Sequence, residues 1–336
     1  MINLDIGGLH RAMYWEILPE GKGLRCNLCP HNCIVGEDRV GICGQRGNHK
    51  GVLYSLNYGK CCSANLDPIE KKPLYHFYPG TSILSVGTIG CNLKCQFCQN
   101  WQISQEAHPT VSVTAEQLVF KAREMGSIGV AFTYNEPTIW FEFVLECSKA
   151  IRKAGLKVVL VTNGFINPEP LEELLPWIDA MNIDLKAFDN VFYTNLCGGQ
   201  LAPVLATIQR VADSPVHLEI TNLMVPSKND SKEHLKTLIS WIAALKNSIP
   251  LHFSKYHPDY KLKVPETRKP QLKKARTMAM KRLDYVYVGN IQDEEMNSTF
   301  CPKCSELLIS RRGYQVEVRL NGKACPECGR ETNIII

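Results

Sequence analysis

The sequence predicts an α/β protein: a partial, TIM-like (β/α)6 barrel with a small cysteine-rich N-terminal module and a C-terminal zinc-ribbon or rubredoxin-like module. Two observations support this. From about residue 81, short apolar strands alternate with amphipathic helices, which indicates parallel strands joined by right-handed crossovers. Most of the fifteen cysteines fall into three groups, within 26–43, 91–98 and 301–328. We therefore expect three parts, at 1–80, 81–292 and 293–336.

The barrel segment contains six predicted strands and a candidate seventh at 285–288. The six are 82–86, 129–133, 157–161, 180–184, 217–221 and 251–255. The helices expected between them include 114–125, 139–153, 204–213 and 232–247. Thr114 and Gln117 form a capping-box pattern at the first helix. An open doubly wound sheet is the alternative, but no glycine-rich dinucleotide fingerprint follows the first strand.

Composition narrows the class of protein. The chain has 336 residues and a net charge of +5, which suits an anionic partner without requiring nucleic acid. The first residues show no signal-peptide pattern, and no stretch is long enough for a transmembrane helix, so we expect a cytoplasmic protein that does not enter a membrane. In a reducing compartment, so many cysteines are expected as metal ligands or reactive thiols rather than disulfides.

The stretch T-I-G-C-N-L-K-C-Q-F-C-Q-N-W, residues 88–101, follows the first barrel strand. It carries Cys91, Cys95 and Cys98 at the spacing C-x3-C-x2-C, without a fourth cysteine. A cubane iron–sulfur cluster held by three thiolates keeps one iron without a protein ligand, much as a catalytic zinc keeps one position open. The incomplete set therefore predicts a cluster that binds a cofactor or substrate directly.

Polar residues follow every predicted barrel strand. In parallel barrels, the working residues lie just past the carboxyl ends of the strands, so these clusters should face one cavity. After the first strand's cysteine loop, they are Asn135 and Glu136 in Y-N-E-P-T, Thr162 and Asn163 in T-N-G-F, Asp184 and Lys186 in D-L-K, the stretch N-L-M-V-P at 222–226, and His257 in K-Y-H-P.

These motifs resemble the radical S-adenosylmethionine (SAM) superfamily, in which an aromatic residue such as Phe97 precedes the last cysteine of the loop. The resemblance implies that the open iron chelates the amino and carboxylate groups of SAM. It also implies that one electron cleaves SAM to a 5′-deoxyadenosyl radical, which abstracts hydrogen from a substrate that the sequence does not identify. The implied partners are SAM and a one-electron donor such as ferredoxin or flavodoxin.

Within the superfamily, T-N-G-F and D-L-K resemble the pyruvate formate-lyase activating enzymes. Longer strings are similar to the radical SAM proteins of the AmmeMemoRadiSam system, whose companion proteins would be further partners. They are C-N-L-C-P-H-N-C (26–33), D-P-I-E-K-K-P-L-Y-H-F (67–77), Y-N-E-P-T, C-G-G (197–199) and H-F-S-K-Y-H-P-D-Y-K-L (252–262). This resemblance covers nearly the whole chain.

The resemblance also implies roles by motif position. Glu136 would face the SAM amino group; the alternative is that it only favours a helix start before Pro137. Asp184 and Lys186 would lie near the methionyl end of SAM, or form a plain salt bridge at the barrel rim. His257 would lie near the nucleoside, or be a rim histidine. We assign Phe97, Asn135, Thr162 and Asn163 to the same cofactor site.

One position departs from the activating enzymes. They typically carry an acid just before T-N-G-F that helps to bind a monovalent cation. Val161 stands there in this chain. We therefore do not expect that cation site.

Two further cysteine sets predict metal sites. Cys26, Cys29, Cys33 and Cys43 suit a metal-nucleated knuckle, for which zinc is the first choice and a second iron–sulfur cluster the alternative. Cys301, Cys304, Cys325 and Cys328 form two C-P-x-C pairs typical of a ribbon. There we expect structural zinc, although a rubredoxin-type iron has the same ligand spacing.

Cys197 belongs to none of these sets. We consider it, together with Lys186, as a candidate catalytic residue. Cys197 would donate hydrogen to the substrate radical or anchor the substrate covalently, with Gly198 and Gly199 letting the loop turn the thiol inward. The alternative is a small buried side chain in a loop.

Three functions remain open from the sequence. The first is hydrogen abstraction by a radical SAM enzyme. A narrower version is activation of a glycyl-radical enzyme, against which stands the absence of a ferredoxin-like run of cysteines in the barrel. The third is a zinc-ribbon protein that binds nucleic acid through the basic segment 261–282, with a purely structural three-cysteine loop. The strand-end clusters disfavour it, and that segment is expected to be a solvated helix face.

Overall fold

The computed structural model describes residues 9–19 and 23–336. The N-terminal module consists of short strands: β1 (His10–Arg11), β2 (Trp15–Ile17), β3 (Leu24–Cys26), β4 (Ile34–Val35), β5 (Arg46–His49), β6 (Val52–Ser55) and β7 (Lys60–Cys61). Within this part of the chain, β1, β6 and β5 form one antiparallel sheet, and β2, β3 and β4 form another. Strands this short bury little apolar surface, so the module depends on contacts with the barrel.

An eight-stranded sheet forms the centre of the molecule. The strands after the module are β8 (Ser63–Pro68), β9 (Ser82–Gly87), β10 (Val111–Ser112), β11 (Gly129–Phe132), β12 (Lys157–Thr162), β13 (Ala180–Asp184), β14 (His217–Met224), β15 (Leu251–Lys255) and β16 (Val286–Gly289). All except β10 belong to this sheet and lie side by side in chain order; β10 pairs with β7 instead.

The seven strands from β9 to β16 are parallel, and β8 runs antiparallel to β9. Their unbroken chain order confirms the barrel-type winding, because the strand order of a doubly wound sheet reverses at its centre. In the described part of the chain, β8 and β16 are the two edges, so the barrel is partial. The candidate seventh parallel strand is present as β16.

The edge strand β8 lies before the predicted barrel boundary at residue 81. Each of its residues from Ser63 to Pro68 pairs with one of β9. The strand thus belongs to the barrel sheet by its hydrogen bonds, although the predicted boundary put it in the N-terminal part.

Nine α-helices are present in the described part of the chain, and several of them pack on the sheet. They are α1 (Trp101–Gln105), α2 (Ala115–Glu124), α3 (Phe141–Lys153), α4 (Pro168–Leu174), α5 (Asn190–Phe192), α6 (Leu201–Ala212), α7 (Lys232–Leu245), α8 (Lys269–Ala279) and α9 (Glu294–Asn297). The predicted capping box opens α2, because the Thr114 side chain accepts from Gln117 N and the Gln117 side chain accepts from Thr114 N. No described helix combines the length and apolar character needed to cross a membrane.

The basic segment 261–282 contains α8. This helix buries Leu272, Ala275 and Ala279, while Lys273 and Lys274 are exposed. Its apolar face packs on β15 and β16. The part from Lys269 to Ala279 is therefore a solvated helix face on the barrel, as expected, whereas residues 263–268 are not helical.

The C-terminal module is a three-stranded antiparallel sheet of β17 (Thr299–Phe300), β18 (Leu307–Arg312) and β19 (Gln315–Val318). Leu308, Ile309 and Ile334 form its small core together with Cys301 and Cys325. The chain end returns to the barrel, where Tyr78 N donates to Ile335 O at 2.7 Å and Ile335 N donates to His76 O at 2.8 Å.

Candidate active site

A cavity of about 850 Å³ opens at the carboxyl ends of the parallel strands. This volume lies within the usual range of ligand pockets. Loops after β9, β11, β12 and β13 line it, together with Thr221, Leu223 and Ser254 from β14 and β15. The clusters after β9, β11, β12 and β13 therefore face one space, as parallel-barrel geometry requires.

Cys91, Cys95 and Cys98 line this cavity. Neighbouring strands fix the backbone of their loop: Asn135 Nδ2 donates to Gly90 O at 2.7 Å, and Thr88 N donates to Asn135 Oδ1 at 3.2 Å. Asn135, predicted as a cofactor residue, thus also holds the cysteine loop in place.

The environment of the loop keeps its thiols protonated when no metal is bound. A hydrogen bond with the Cys197 thiol, followed by burial, raises the pKa of Cys95 well above its usual value. Burial, followed by the negative charge of Glu136, does the same for Cys91. Metal binding must therefore displace protons from these thiols.

The donor set fits a cubane cluster with one open iron. Among the described residues, these three are the only cysteines on the cavity wall, and no histidine lines it. A three-thiolate cluster there would present its fourth iron to a cavity large enough for a cofactor.

Glu136 is buried on the cavity wall and binds the loops around it. Its Oε1 accepts from Thr162 Oγ1 at 2.7 Å and from Thr138 N and Oγ1 at 2.9 and 2.6 Å. Its Oε2 accepts from Asn163 N at 2.7 Å. Burial raises the pKa of Glu136 above its usual value, although these donors oppose the shift. The carboxylate both caps the turn at Pro137, the predicted alternative, and lines the cavity.

The T-N-G-F turn links two loops of the site. Asn163 Nδ2 donates to Asn92 Oδ1 at 2.8 Å, and Asn92 Nδ2 donates to Phe165 O at 2.7 Å. Gly164 has a φ of +69°, and a Cβ atom there would lie 2.9 Å from Ile183 Cγ2. The turn therefore requires glycine and holds Asn163 against the cysteine loop.

Asp184 and Lys186 form an ion pair at the cavity, with 2.9 Å between Lys186 Nζ and Asp184 Oδ2. The lysine side chain is 14% exposed and the aspartate 36%. Burial lowers the pKa of Lys186, but the negative charge of Asp184 opposes burial, and the pKa of Lys186 lies well above its usual value. The lysine is thus a fixed positive charge beside the cysteine loop, while part of the aspartate stays open to the cavity.

The remaining predicted cofactor residues differ in position. Phe97, Thr162 and Asn163 line the cavity. His257 is not part of the wall. Its side chain is half exposed, with Nδ1 3.2 Å from Gln99 Nε2. Gln99 itself lines the cavity, so the predicted role of His257 near the nucleoside would have to be exerted through Gln99.

Cys197 lies on the outer side of the cysteine loop. It is fully buried and is not part of the cavity wall. Its carbonyl accepts from Lys94 N at 2.7 Å, and its thiol contacts Cys95. The predicted role on a substrate radical remains a prediction, whereas the observed contacts are those of a support for the loop.

A second wall of the cavity has no predicted counterpart among the sequence motifs. It consists of Asp67, Lys72 and Tyr134, with Lys71 and Tyr314 beside them. Asp67 Oδ2 accepts from Lys72 Nζ at 2.9 Å and from the Tyr134 hydroxyl at 2.6 Å. The one signal in the sequence was a carboxylate followed by two lysines in D-P-I-E-K-K, just before the first barrel strand.

The two other cysteine sets differ in geometry. The sulfurs of Cys301, Cys304, Cys325 and Cys328 all lie within 4.8 Å of one another. The two sulfur atoms are 3.6 Å apart in the pair Cys301–Cys328, and also in the pair Cys304–Cys325. Cys26, Cys29, Cys33 and Cys43 surround a small cavity in the N-terminal module. Both predicted ligand sets are therefore brought together in space.

Sequence comparison finds relatives along the whole chain. The profile of the Radical SAM superfamily matches residues 85–242. The uncharacterized protein MJ0808 of Methanocaldococcus jannaschii is 41% identical over 98% of this chain and all of its own. The pyruvate formate-lyase-activating enzyme of Staphylococcus epidermidis is 26% identical, over 51% of this chain and 72% of its own.

Solved structures show a similar fold. A radical SAM methyltransferase from Sphaerobacter thermophilus has a TM-score of 0.52 at 14% identity, covering 83% of this chain and 76% of its own. Streptococcus suis SuiB bound to S-adenosylmethionine has a TM-score of 0.50 at 17% identity, covering 62% of this chain and 52% of its own. At such identities, these likenesses concern the fold alone.

Proposed function

Because the chain belongs to the radical SAM superfamily, we propose that it binds SAM and a 4Fe-4S cluster and abstracts hydrogen from an organic substrate. The observation that supports this most directly is the shared cavity: its wall contains Cys91, Cys95 and Cys98 together with Glu136 and the Asp184–Lys186 pair. When bound, cluster and SAM would supply a carbon-centred radical at the 5′ position of the nucleoside.

The residues of the chain would hold and orient these groups. The three thiolates of the loop would bind three irons of the cluster. The exposed part of Asp184 would accept hydrogen bonds from the SAM ammonium, while the ion pair with Lys186 orients that carboxylate. Glu136 would position the loops on either side through its four hydrogen bonds, and its place on the wall lets it face SAM as well.

The second wall would shape the substrate space. Asp67, Lys71, Lys72, Tyr134 and Tyr314 present charged and hydroxyl groups to the cavity. A substrate that fills this side would therefore carry polar or charged groups of its own. Asp67, Lys71, Lys72 and Tyr314 lie outside the stretch matched by the superfamily profile.

Activation of a glycyl-radical enzyme is the second candidate. The name of the Staphylococcus epidermidis relative favours it. That relative matches about half of this chain, and much of the second wall lies outside the superfamily match. For these reasons a different substrate is our first choice.

Anaerobic purification followed by incubation with SAM and dithionite would test the proposal. We expect the EPR signal of the reduced cluster to change on SAM addition and 5′-deoxyadenosine to form. Cys91→Ala, Cys95→Ala and Cys98→Ala should each abolish that product. Cys147→Ala is the matched control, since this buried cysteine lies in α3, outside the cavity wall. Product formation that survives in all three loop variants would refute the proposal.

The ribbon cysteines would hold zinc in a structural role. Their sulfurs are spaced as a single tetrahedral ion requires, with pairs near the value of about 3.8 Å that zinc–sulfur bonds of about 2.3 Å imply. Thiolate geometry alone does not exclude iron, so the metal content of this module is the decisive measurement.

A further inference from the structure

We propose that Cys26, Cys29, Cys33 and Cys43 hold a second four-iron cubane cluster rather than a zinc ion, and that this cluster supplies electrons to the three-cysteine loop of the barrel. The identity of the metal is independent of the function proposed above. The electron-transfer role rests on it, because the barrel cluster is the acceptor.

The spacing of the sulfur atoms distinguishes the two kinds of site. Around one tetrahedral zinc ion, every pair of thiolate sulfurs lies about 3.8 Å apart. In a cubane, each thiolate binds an iron at a different corner, so the sulfurs stand farther apart. Among the described residues, the ribbon cysteines are the only thiols that meet the compact arrangement, with all four sulfurs within 4.8 Å of one another.

The N-terminal cysteines are spread more widely. In every set of three drawn from Cys26, Cys29, Cys33 and Cys43, at least one pair of sulfurs lies farther apart than 4.8 Å. Cys91, Cys95 and Cys98 show the same spread. Neither the N-terminal set nor the barrel loop therefore has the compact arrangement of the ribbon.

The surroundings of the N-terminal site also suit a cluster. Leu28 and Ile139 contribute apolar walls to the small cavity that all four cysteines line. Backbone amides donate to two of the sulfurs, from Ile42 N to Cys33 and from Gln45 N to Cys43, each at 3.5 Å. Burial and N–H donors to sulfur are the features by which proteins tune iron–sulfur clusters.

A buried positive charge lies beside the same cavity. The Arg46 side chain is almost fully buried, lines the cavity and pairs with Glu142 at 2.7 Å. A cubane bound by four thiolates carries net negative charge, which increases on reduction. Arg46 would offset part of that charge within the low-dielectric interior.

The N-terminal site lies directly against the barrel loop. Gly90 precedes Cys91, and a Cβ atom on Gly90 would lie only 2.7 Å from Cys43 O. On the other side of Cys91, His31 Nε2 is 2.7 Å from Asn92 O. The segments that carry the two cysteine sets are therefore in direct contact. Electron transfer weakens steeply with distance, so this packing provides a short route.

The transfer is a one-electron step at each site. A low-potential donor of the ferredoxin or flavodoxin type, or dithionite in vitro, gives one electron to the N-terminal cluster and is itself oxidised. That cluster passes the electron to the barrel cluster and returns to its oxidised state. No proton or group moves with the electron, and the external donor balances the step.

The metal content of the wild-type protein tests the first part. After anaerobic isolation, Mössbauer spectroscopy and elemental analysis should find about eight cubane irons per chain, four from each cluster. About four cubane irons with one extra zinc would overturn the proposal. This measurement needs no variant and so does not depend on how a variant folds.

Site variants assign the iron. The double variant Cys26→Ser/Cys29→Ser should lose about four irons and keep the SAM-dependent EPR signal of the barrel loop. The matched control Cys301→Ser/Cys304→Ser should keep all of the cubane iron and lose only the ribbon metal. Unchanged iron with loss of zinc from the N-terminal variant would overturn the cluster.

Reduction kinetics test the electron route. With a reduced flavodoxin-type donor, rapid-freeze EPR should show slower reduction of the barrel cluster in the N-terminal variant than in the ribbon variant. Equal rates would overturn the electron-transfer role. A barrel signal that never responds to SAM would instead count against the proposed function, so the two failures are distinguishable.

Discussion

Asp67, in the second wall of the cavity, makes the stability of the folded protein depend on pH. Burial alone would raise its pKa, but hydrogen bonds from Tyr134 and Lys72 and the charge of Lys72 outweigh burial and lower this pKa from 3.8 to about 2. A carboxyl group whose pKa is lower in the folded state stabilises that state whenever it is ionised. The stabilisation is complete above the pKa of the unfolded chain and is lost as the pH falls through about 2.

Asp67→Asn should therefore destabilise the protein at neutral pH but not in strong acid. We expect the free energy of unfolding to fall by about 1 kcal/mol at pH 7, allowing for solvent screening of the lysines. The difference from wild type should shrink as the pH drops from 3.8 towards 2. Urea titrations across that range measure it.

The exposed Asp213 supplies a control for this experiment. Asp213→Asn should change unfolding little at any pH. If the Asp67→Asn difference stayed constant down to pH 2, the ionised carboxylate would not be the source of the stabilisation.

Glu136 shows why motif position alone did not resolve a residue's role. The sequence offered two alternatives, contact with SAM or a helix start. In the structure, one carboxylate caps the turn at Pro137, accepts from Thr162 and Asn163, and still lines the cavity. Spacing along one loop predicts the cap, but the bonds to the next strand's loop appear only when β11 and β12 lie side by side.

Among the elements, the segment 193–199 supports the cysteine loop from outside. It begins with a π-helix, Tyr193–Cys197, which is followed by Gly198 with a φ of +68°. Leu196 O accepts from Gln96 N at 2.8 Å. A Cβ atom on Gly199 would lie 2.5 Å from Leu93 Cδ2. The two glycines thus permit the close approach of two backbones.

Gly199→Ala should displace the cysteine loop. The added methyl group cannot fit without moving Leu93, which lies between Cys91 and Cys95, two of the proposed cluster ligands. We expect a lower content of barrel iron after gel filtration and a weaker EPR response to SAM. Gly126→Ala is the control, because its positive φ causes strain while its Cβ would meet no atom within 4 Å. Equal iron retention in the two variants would contradict the supporting role.

Local patterns predicted the elements well, and long-range contacts account for what they missed. Strands β13 and β15 fall where the alternating apolar runs placed them, and the Thr114 capping box opens α2. The second wall could not be predicted in the same way. It joins β8, the loop after β11 and Tyr314 from the C-terminal module, which meet only after the sheet has formed.

At the scale of the whole molecule, a buried polar network connects the barrel, the segment 69–81 between β8 and β9, and the C-terminal module. Glu219 is fully buried and accepts from His76 N at 2.7 Å and from His252 Nε2 at 2.6 Å. His76 Nε2 contacts the Tyr287 hydroxyl at 2.6 Å, and its Nδ1 contacts Asn333 Oδ1 at 2.7 Å. Such a network fixes the relative position of the parts only while each group keeps its partner.

Arg311 extends this connection from β18 to the segment 69–81. It donates to Tyr75 O at 2.6 Å and to Thr299 Oγ1 at 2.8 Å, and its Nε lies 3.5 Å from Glu70 Oε1. Its side chain is 1% exposed. The neighbouring Arg312 pairs with Glu294 at 2.8 Å but is 74% exposed. Adjacent arginines on one strand thus form a buried and a solvated ion pair.

Replacing each arginine by alanine tests whether the buried ion pair, rather than positive charge on β18 in general, holds the C-terminal module on the barrel. Arg311→Ala leaves Glu70 buried without its cation and leaves Tyr75 O without a donor, so we expect the free energy of unfolding to fall by about 3–5 kcal/mol. Arg312→Ala should change it little, because water solvates both partners. Urea unfolding gives both values. Limited proteolysis of the segment 293–306 should be faster in Arg311→Ala alone, since the module then dissociates from the barrel. Equal losses of stability in the two variants would show that the buried pair does not hold the module, and that Tyr314 reaches the cavity wall by other contacts.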